Sequence, residues 1–257
     1  MATPGTAPTK SQPLSVSRPD ARVEELVESV FAEDLVVAAG HAALNENLAL
    51  ALLRRRDLPA AAIEAMARNT SVIQRRKVLI EIVQHQRTPR HIALPFLRRL
   101  FTFELMDVAL APAVAADLKL VTEDLLIKKL ETLSLGERIA LARRASPGVA
   151  GALLLHAERP VVEAAMQNPR LTEASIVRSL TRSEVPVLLL SMAIAHPKWS
   201  LRREIQLAIL RRPEATETMI RQTAAKLPKP AIYEVLRHTR LPGHREALLR
   251  RLLEGEM

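Results

Sequence analysis

The sequence predicts an all-α fold, a right-handed α-solenoid of stacked antiparallel helical hairpins, on three observations. Its 257 residues are 48% hydrophobic but only 2% aromatic, and the apolar share is mainly Ala, Leu, Ile and Val. Alanine and leucine are strong helix formers, and no segment sustains the alternation expected of a half-buried strand. Short amphipathic segments recur along the whole chain, separated by breaks at Pro, Asn or His. Finally, the stretch from Leu44 to Val83 returns without gaps 127 positions later. Leu44 falls on Leu171, Glu46 on Glu173, Leu53 on Leu180, Arg55 on Arg182 and Pro59 on Pro186. The pair Arg75-Arg76 falls on Arg202-Arg203, and Ile82 on Ile209. His41 to Asn69 and Asn168 to His196 are both steps of 28 residues. Self-similarity at such spacings is the signature of repeat arrays.

The elements follow in order. The segment 21–31 opens behind Asp20, an N-cap residue type whose side chain accepts a free backbone N–H. Further helices are expected at 34–44, 46–56, 59–68, 72–86, 90–106, 112–117, 122–132, 135–145 and 147–156. The series continues at 160–167, 172–182, 185–195, 200–211, 214–226, 230–238 and 244–254. Asn168-Pro169 and His196-Pro197 are breaks, because proline disfavours helix in the residue before it. In 201–211 the stripe Leu201, Ile205, Ala208 and Ile209 opposes Arg203 and Gln206, and in the last helix Leu248, Leu249, Leu252 and Leu253 share one side. Each pattern buries one face. Helices this short are marginal alone and draw their stability from neighbours. Connections of two to four residues force consecutive helices into antiparallel hairpins. Residues 1–19 hold Pro4, Pro8, Pro13 and Pro19 among Ser and Thr and are expected to form a disordered tail. The remainder, 20–257, reads as one helical-repeat domain with two weakly similar halves, about 34–130 and 161–254.

The stretch DLPAAAIEAMARNTSVIQRRKVLIEIVQHQRTP, residues 57–89, resembles the repeats of HEAT-like and leucine-rich-repeat-variant proteins. A Pro-containing turn leads into an apolar helix ending near Ala-Arg-Asn, and a second helix enters on an Arg pair. NPRLTEASIVRSL (168–180) and HPKWSLRREIQLAILRRPEATE (196–217) are similar. The resemblance implies a solenoid fold and a binding role, and it transfers no catalytic residue. Some leucine-rich-repeat-variant proteins carry a cysteine-bound iron–sulfur cluster, and this chain has no cysteine.

The absence of cysteine removes disulfides and thiolate metal sites together. The first twenty residues lack the apolar core of a secretory signal, and no run of about 18 apolar residues exists to span a bilayer. A cytoplasmic protein is expected. None of the motifs G-x-S-x-G, G-x-x-x-x-G-K-[ST], H-E-x-x-H or G-x-G-x-x-G is present. Gly148 and Gly151 lie among Ala and Leu without a Lys, a pattern of close helix packing. Glu81 and His85 share a helix face as a surface ion pair would, and His41 and His196 serve as turn residues. No enzyme activity, cofactor or metal is expected.

Basic side chains are the recurrent feature. The net charge is +9, and it is uneven: residues 21–69 hold 5 basic and 8 acidic side chains, residues 201–257 hold 12 and 7. Adjacent basic residues recur, among them Arg54-Arg55-Arg56, Arg143-Arg144 and Arg211-Arg212 at helix C-termini, where they complement the dipole. The equivalent pairs 75–76 and 202–203 can form a ladder with acidic neighbours or line a concave face. Trp199, the single tryptophan, either fills a joint between hairpins or anchors a partner. The expectation is a non-enzymatic scaffold whose concave face binds a protein or peptide, an acidic one, through Arg75, Arg76, Arg202, Arg203 and Trp199. The alternative is a nucleic-acid-binding array, of the HEAT-like DNA glycosylase type, using aligned arginines on phosphates. The aromatic interleaving of single-strand binders is missing.

Overall fold

In the computed structural model, residues 22–255 are described. They form eighteen α-helices and two 3-10 turns, with no strand among the described residues. In chain order the helices are α1 Val23–Glu28, α2 Ala32–Gly40, α3 Glu46–Leu53, α4 Ala60–Arg68, α5 Thr70–Ile73 and α6 Arg76–Gln84. Next come α7 Arg90–Leu97, α8 Thr102–Leu110, α9 Ala116–Lys129, α10 Leu135–Arg144, α11 Pro147–Leu153 and α12 Arg159–Met166. The last six are α13 Glu173–Leu180, α14 Val187–Ala195, α15 Arg203–Leu210, α16 Glu217–Ala224, α17 Lys229–His238 and α18 Gly243–Glu254. The 3-10 turns are Leu130–Thr132 and Trp199–Leu201. The expected tail at 1–19 and the Asp20 cap lie outside the described residues.

Helix starts are set by two local devices. Asn45, Thr172 and Thr216 each accept the N–H of the third residue onward, and Ser134 and Glu137 cap each other reciprocally. Pro59, Pro89, Pro186, Pro228 and Pro242 occupy the N-cap position itself, where extended backbone is required and no N–H is lost. The last helix stops at Gly255, whose φ of 88° is the left-handed cap that a side chain would penalise.

Three expected boundaries are corrected. The helices at 112–117 and 122–132 are one, α9, because nothing between Ala116 and Lys129 is a helix breaker. The helix at 90–106 is two, broken at 98–101, where Glu104 turns back to accept the Phe101 N–H at 2.7 Å. The segment 72–86 is split by the extended Arg75 into the single turn α5 and α6.

Contacts group the chain into two units, up to Leu125 and from Leu126. In the first, α1 packs on α2 and α3, α2 on α3 and α4, α3 on α6, and α6 on α7 and α8. In the second, α10 packs on α11 and α12, α11 on α12 and α13, and this continues through α14, α15, α16 and α17 to α18. Contacts thus run mainly between neighbouring and next-but-one helices, with α5 an extra turn in the first unit. The buried side chains are aliphatic: Leu35, Leu52, Leu58, Ile63 and Ile82 in the first unit, Leu153, Ile176, Leu190 and Ile205 in the second.

The two units share one register. Shifted by 127, the first residues of α2, α3, α4, α6, α7, α8 and α9 coincide with those of α12, α13, α14, α15, α16, α17 and α18. The sequence echo at 44–83 therefore lies within a longer correspondence of helix positions, from Ala32 to Glu254.

Candidate binding surface

Most polar side chains with distinctive geometry hold turns together. Asn69 donates to the carbonyls of Ala39 and His41 (2.9 and 3.0 Å) while its oxygen accepts the Ser71 N–H. Asn168 does the same to Ala142 and Ala145 (2.8 and 3.0 Å) and accepts from Arg170. His41, His85, His156 and His196 each offer Nδ1 to the N–H two residues on, the same turn made with an imidazole. The 28-residue step from His41 to Asn69 is thus a physical contact between successive turns.

Arginines strap successive turns as well. Arg87 donates to the carbonyls of Asp57 and Leu58 (3.2 and 3.3 Å), and Arg212 to those of Arg182 and Ser183 (2.7 and 3.2 Å). Arg245, buried, donates to Arg212, Pro213 and Ala215, the last at 2.6 Å. Arg55 reaches the Val27 carbonyl at 2.9 Å and grips Asp57, whose carboxyl is held below its ordinary range by that guanidinium. Arg212 holds Glu214 in the same way. These cations are occupied by backbone carbonyls, and the buried bond from Arg245 to Ala215 is the most expensive to break.

The residues expected to meet a partner are not gathered in one place. Arg76 lies between Glu104, 2.8 Å from Nε, and the Phe101 ring, 3.7 Å from its guanidinium carbon. Its counterpart Arg203 pairs with Glu234 at 2.6 Å and Glu204 at 3.1 Å. Both pairings run to the equivalent helix, α8 or α17, one turn apart. Arg75 and Arg202 are exposed N-cap residues of α6 and α15 without an ion pair among the described residues. Trp199 is 3% exposed, with its indole N–H donating to the Met166 carbonyl at 3.3 Å, so its ring fills the joint beside α12. Gly151 is a close approach: an added Cβ would stand 3.5 Å from Ser175 Cβ, and Ser179 Oγ donates to the Gly151 carbonyl at 2.8 Å. No group of three His, Cys, Asp or Glu is placed to hold a metal among the described residues. No described helix is long and apolar enough to cross a membrane.

What the units do not share is charge. Residues 22–125 hold 13 Lys and Arg against 14 Asp and Glu, a balance of −1; residues 126–255 hold 22 against 12, a balance of +10. Within the second unit a cavity of about 570 Å³ lies between α14 and α16. Ile194 and Met219 give it apolar lining, and Ser191, Ala195, Thr218 and Ala225 line it from exposed positions. Lys226 closes one end, its ammonium 3.5 Å from the Ile194 carbonyl. A second cleft, about 500 Å³ in the first unit, lies over helix C-termini and is lined by Arg54, Arg55, Arg56 and Glu81; there the guanidinium groups meet the negative ends of α3 and α6.

Sequence patterning missed the groove because Ser191, Ala195, Thr218 and Ala225 are small and unremarkable singly. Setting them beside their counterparts 127 positions earlier was the available signal. Comparison with protein families, with characterised proteins and with solved structures returns no match.

Proposed function

We propose that this chain is a non-enzymatic helical-repeat scaffold, an α-solenoid of HEAT-like or leucine-rich-repeat-variant type, that binds an acidic protein or peptide segment. Neighbour and next-but-one packing supports the solenoid, since repeat arrays are built from such nearest-neighbour contacts. Burial of Trp199 removes it from the contact surface and leaves the exposed cations of the second unit for the role.

One observation carries the reading. The two units set their helices in the same register, yet one is nearly neutral and the other holds a balance of +10. Seven helices of the first unit start at positions matching the second without a comparable excess of charge. Charge beyond structural need acts on solubility and on association with an oppositely charged partner. The cytoplasm is the compartment that goes with this reading.

The test is fluorescence anisotropy of three labelled probes with the full chain at low and high salt: an acidic peptide with interspersed leucines, its lysine-substituted counterpart, and a short DNA duplex. The acidic peptide binds and the lysine peptide does not, with affinity falling as salt screens the charges. Equal binding of both peptides, or none of the acidic one at low salt, contradicts the proposal. Duplex binding with a steep salt dependence and no peptide binding transfers the role to a phosphate backbone.

A further inference from the structure

We infer that the groove between α14 and α16 is the seat of an acidic, amphipathic peptide segment, its apolar side chains on Ile194 and Met219 and a carboxylate at Lys226. The inference rests on the scaffold reading and narrows it to one site.

The duplicated register supplies the argument. At the corresponding positions of the first unit, between α4 and α7, stand the long polar side chains Glu64, Arg68, His91 and Arg98. Glu64 pairs with Arg68 one turn on at 3.2 Å and with His91 at 3.8 Å, and Arg98 follows α7. In the second unit these four positions are Ser191, Ala195, Thr218 and Ala225. Short side chains stand where the first unit has Glu64, Arg68, His91 and Arg98, and they line the cavity of about 570 Å³. The helices of both pairs start at matching positions, so the side chains at these four places are a clear difference between them.

The chemistry left behind selects the occupant. The floor is apolar and gains from burying leucine-like groups. The mouth carries Lys226, exposed and held only by a long 3.5 Å contact to the Ile194 carbonyl, and Lys198 stands just beyond the end of α14 with its ammonium 4.0 Å over the Trp199 ring. A phosphate backbone would answer the lysines but leave the apolar floor unused. Among the described residues of the second unit the aromatics are Trp199, which is buried, and Tyr233, which is exposed but does not line the groove, so the groove has no platform for stacking bases. An acidic segment with apolar residues at helical spacing satisfies both features at once, as groove-bound amphipathic helices do.

The experiment uses the full chain with methyl-labelled Ile and Met and an acidic, leucine-containing peptide as probe. The expected result is a shift of the Ile194 and Met219 methyl resonances. The double variant S191E/A195R rebuilds the ion pair of the first unit on exposed positions. It is expected to weaken binding about tenfold with thermal unfolding unchanged, and K226Q to weaken it with the groove intact. Binding that leaves those methyls unmoved, and is the same for S191E/A195R, overturns this site while the scaffold reading stands. A probe with serine in place of leucine that binds equally well overturns it too. Absence of any peptide binding at low salt sinks both readings. Shifts produced by a DNA duplex and not by the peptide assign the groove's neighbourhood to a phosphate partner and overturn the inference.

Discussion

Asn69 and His196 stand at the same place in the two units and solve the same problem with different chemistry. Each follows a helix and accepts the N–H of the next turn, Asn69 through Oδ1 from Ser71 at 3.0 Å, His196 through Nδ1 from Lys198 at 3.1 Å. Only the imidazole titrates near neutrality. Burial, and then the charge of Lys198, holds the His196 pKa below its ordinary value. The unfolded chain therefore binds the proton first, at about pH 6.5, so the stability due to neutral His196 is complete above that pH. It is lost as pH falls through the unfolded and then the folded value. The carboxylates held low by partners, Asp57 and Glu214, lose their contribution only in more acid solution. His196→Asn is expected to keep the turn and to flatten the fall in stability between about pH 7 and pH 5. Urea titrations followed by the fluorescence of Trp199 check this; equal slopes for both proteins would show that His196 does not titrate in the folding reaction. The sequence marks His41, Asn69, Asn168 and His196 as breaks from their position before new apolar runs. It does not show that Asn69 reaches back to the carbonyls of the preceding turn, because that contact depends on how two hairpins stack.

At the scale of an element, the turn after α14 differs from its counterpart after α4. Val72, fully buried in the one-turn helix α5, is replaced by Trp199 in a 3-10 turn, and the larger ring fills the joint toward α12. Trp199→Val is expected to leave a void and cost about 2–4 kcal/mol. The reverse change, Val72→Trp, overpacks the first unit and costs about 1–3 kcal/mol. Urea unfolding by far-ultraviolet dichroism measures both; a near-neutral Trp199→Val would mean that the ring packs loosely. Helix existence was legible almost everywhere, because Ala- and Leu-rich segments with Pro at their starts leave little alternative. Boundaries failed where a side chain rather than composition ends the helix, as Glu104 does when it caps the break at Phe101. The partnership of Arg76 with Glu104 was legible only as a ladder of unspecified acids. Its mate lies 28 residues away, on the next-but-one helix of the array.

For the whole molecule, the helix register at a step of 127 and the unequal charge together define what the chain has beyond its fold. The uneven charge was visible in the sequence, but its boundary was not, since the division near Leu125 falls inside the unbroken helix α9. The arginine pairs drew attention by their repetition, yet Arg76 and Arg203 are both occupied by carboxylates and Arg212 and Arg245 by carbonyls. In each repeated pair one arginine is tied to a carboxylate, while Arg75 and Arg202 are exposed. The candidate site instead lies where the second unit departs from the first. Hydrogen–deuterium exchange of the full chain, with and without the acidic leucine-containing peptide, tests this most directly. The account predicts slowed exchange in α14, α16 and the turns beside them, with α4 and α7 unchanged. Protection confined to the first unit, or spread equally over α4 and α14, would contradict it.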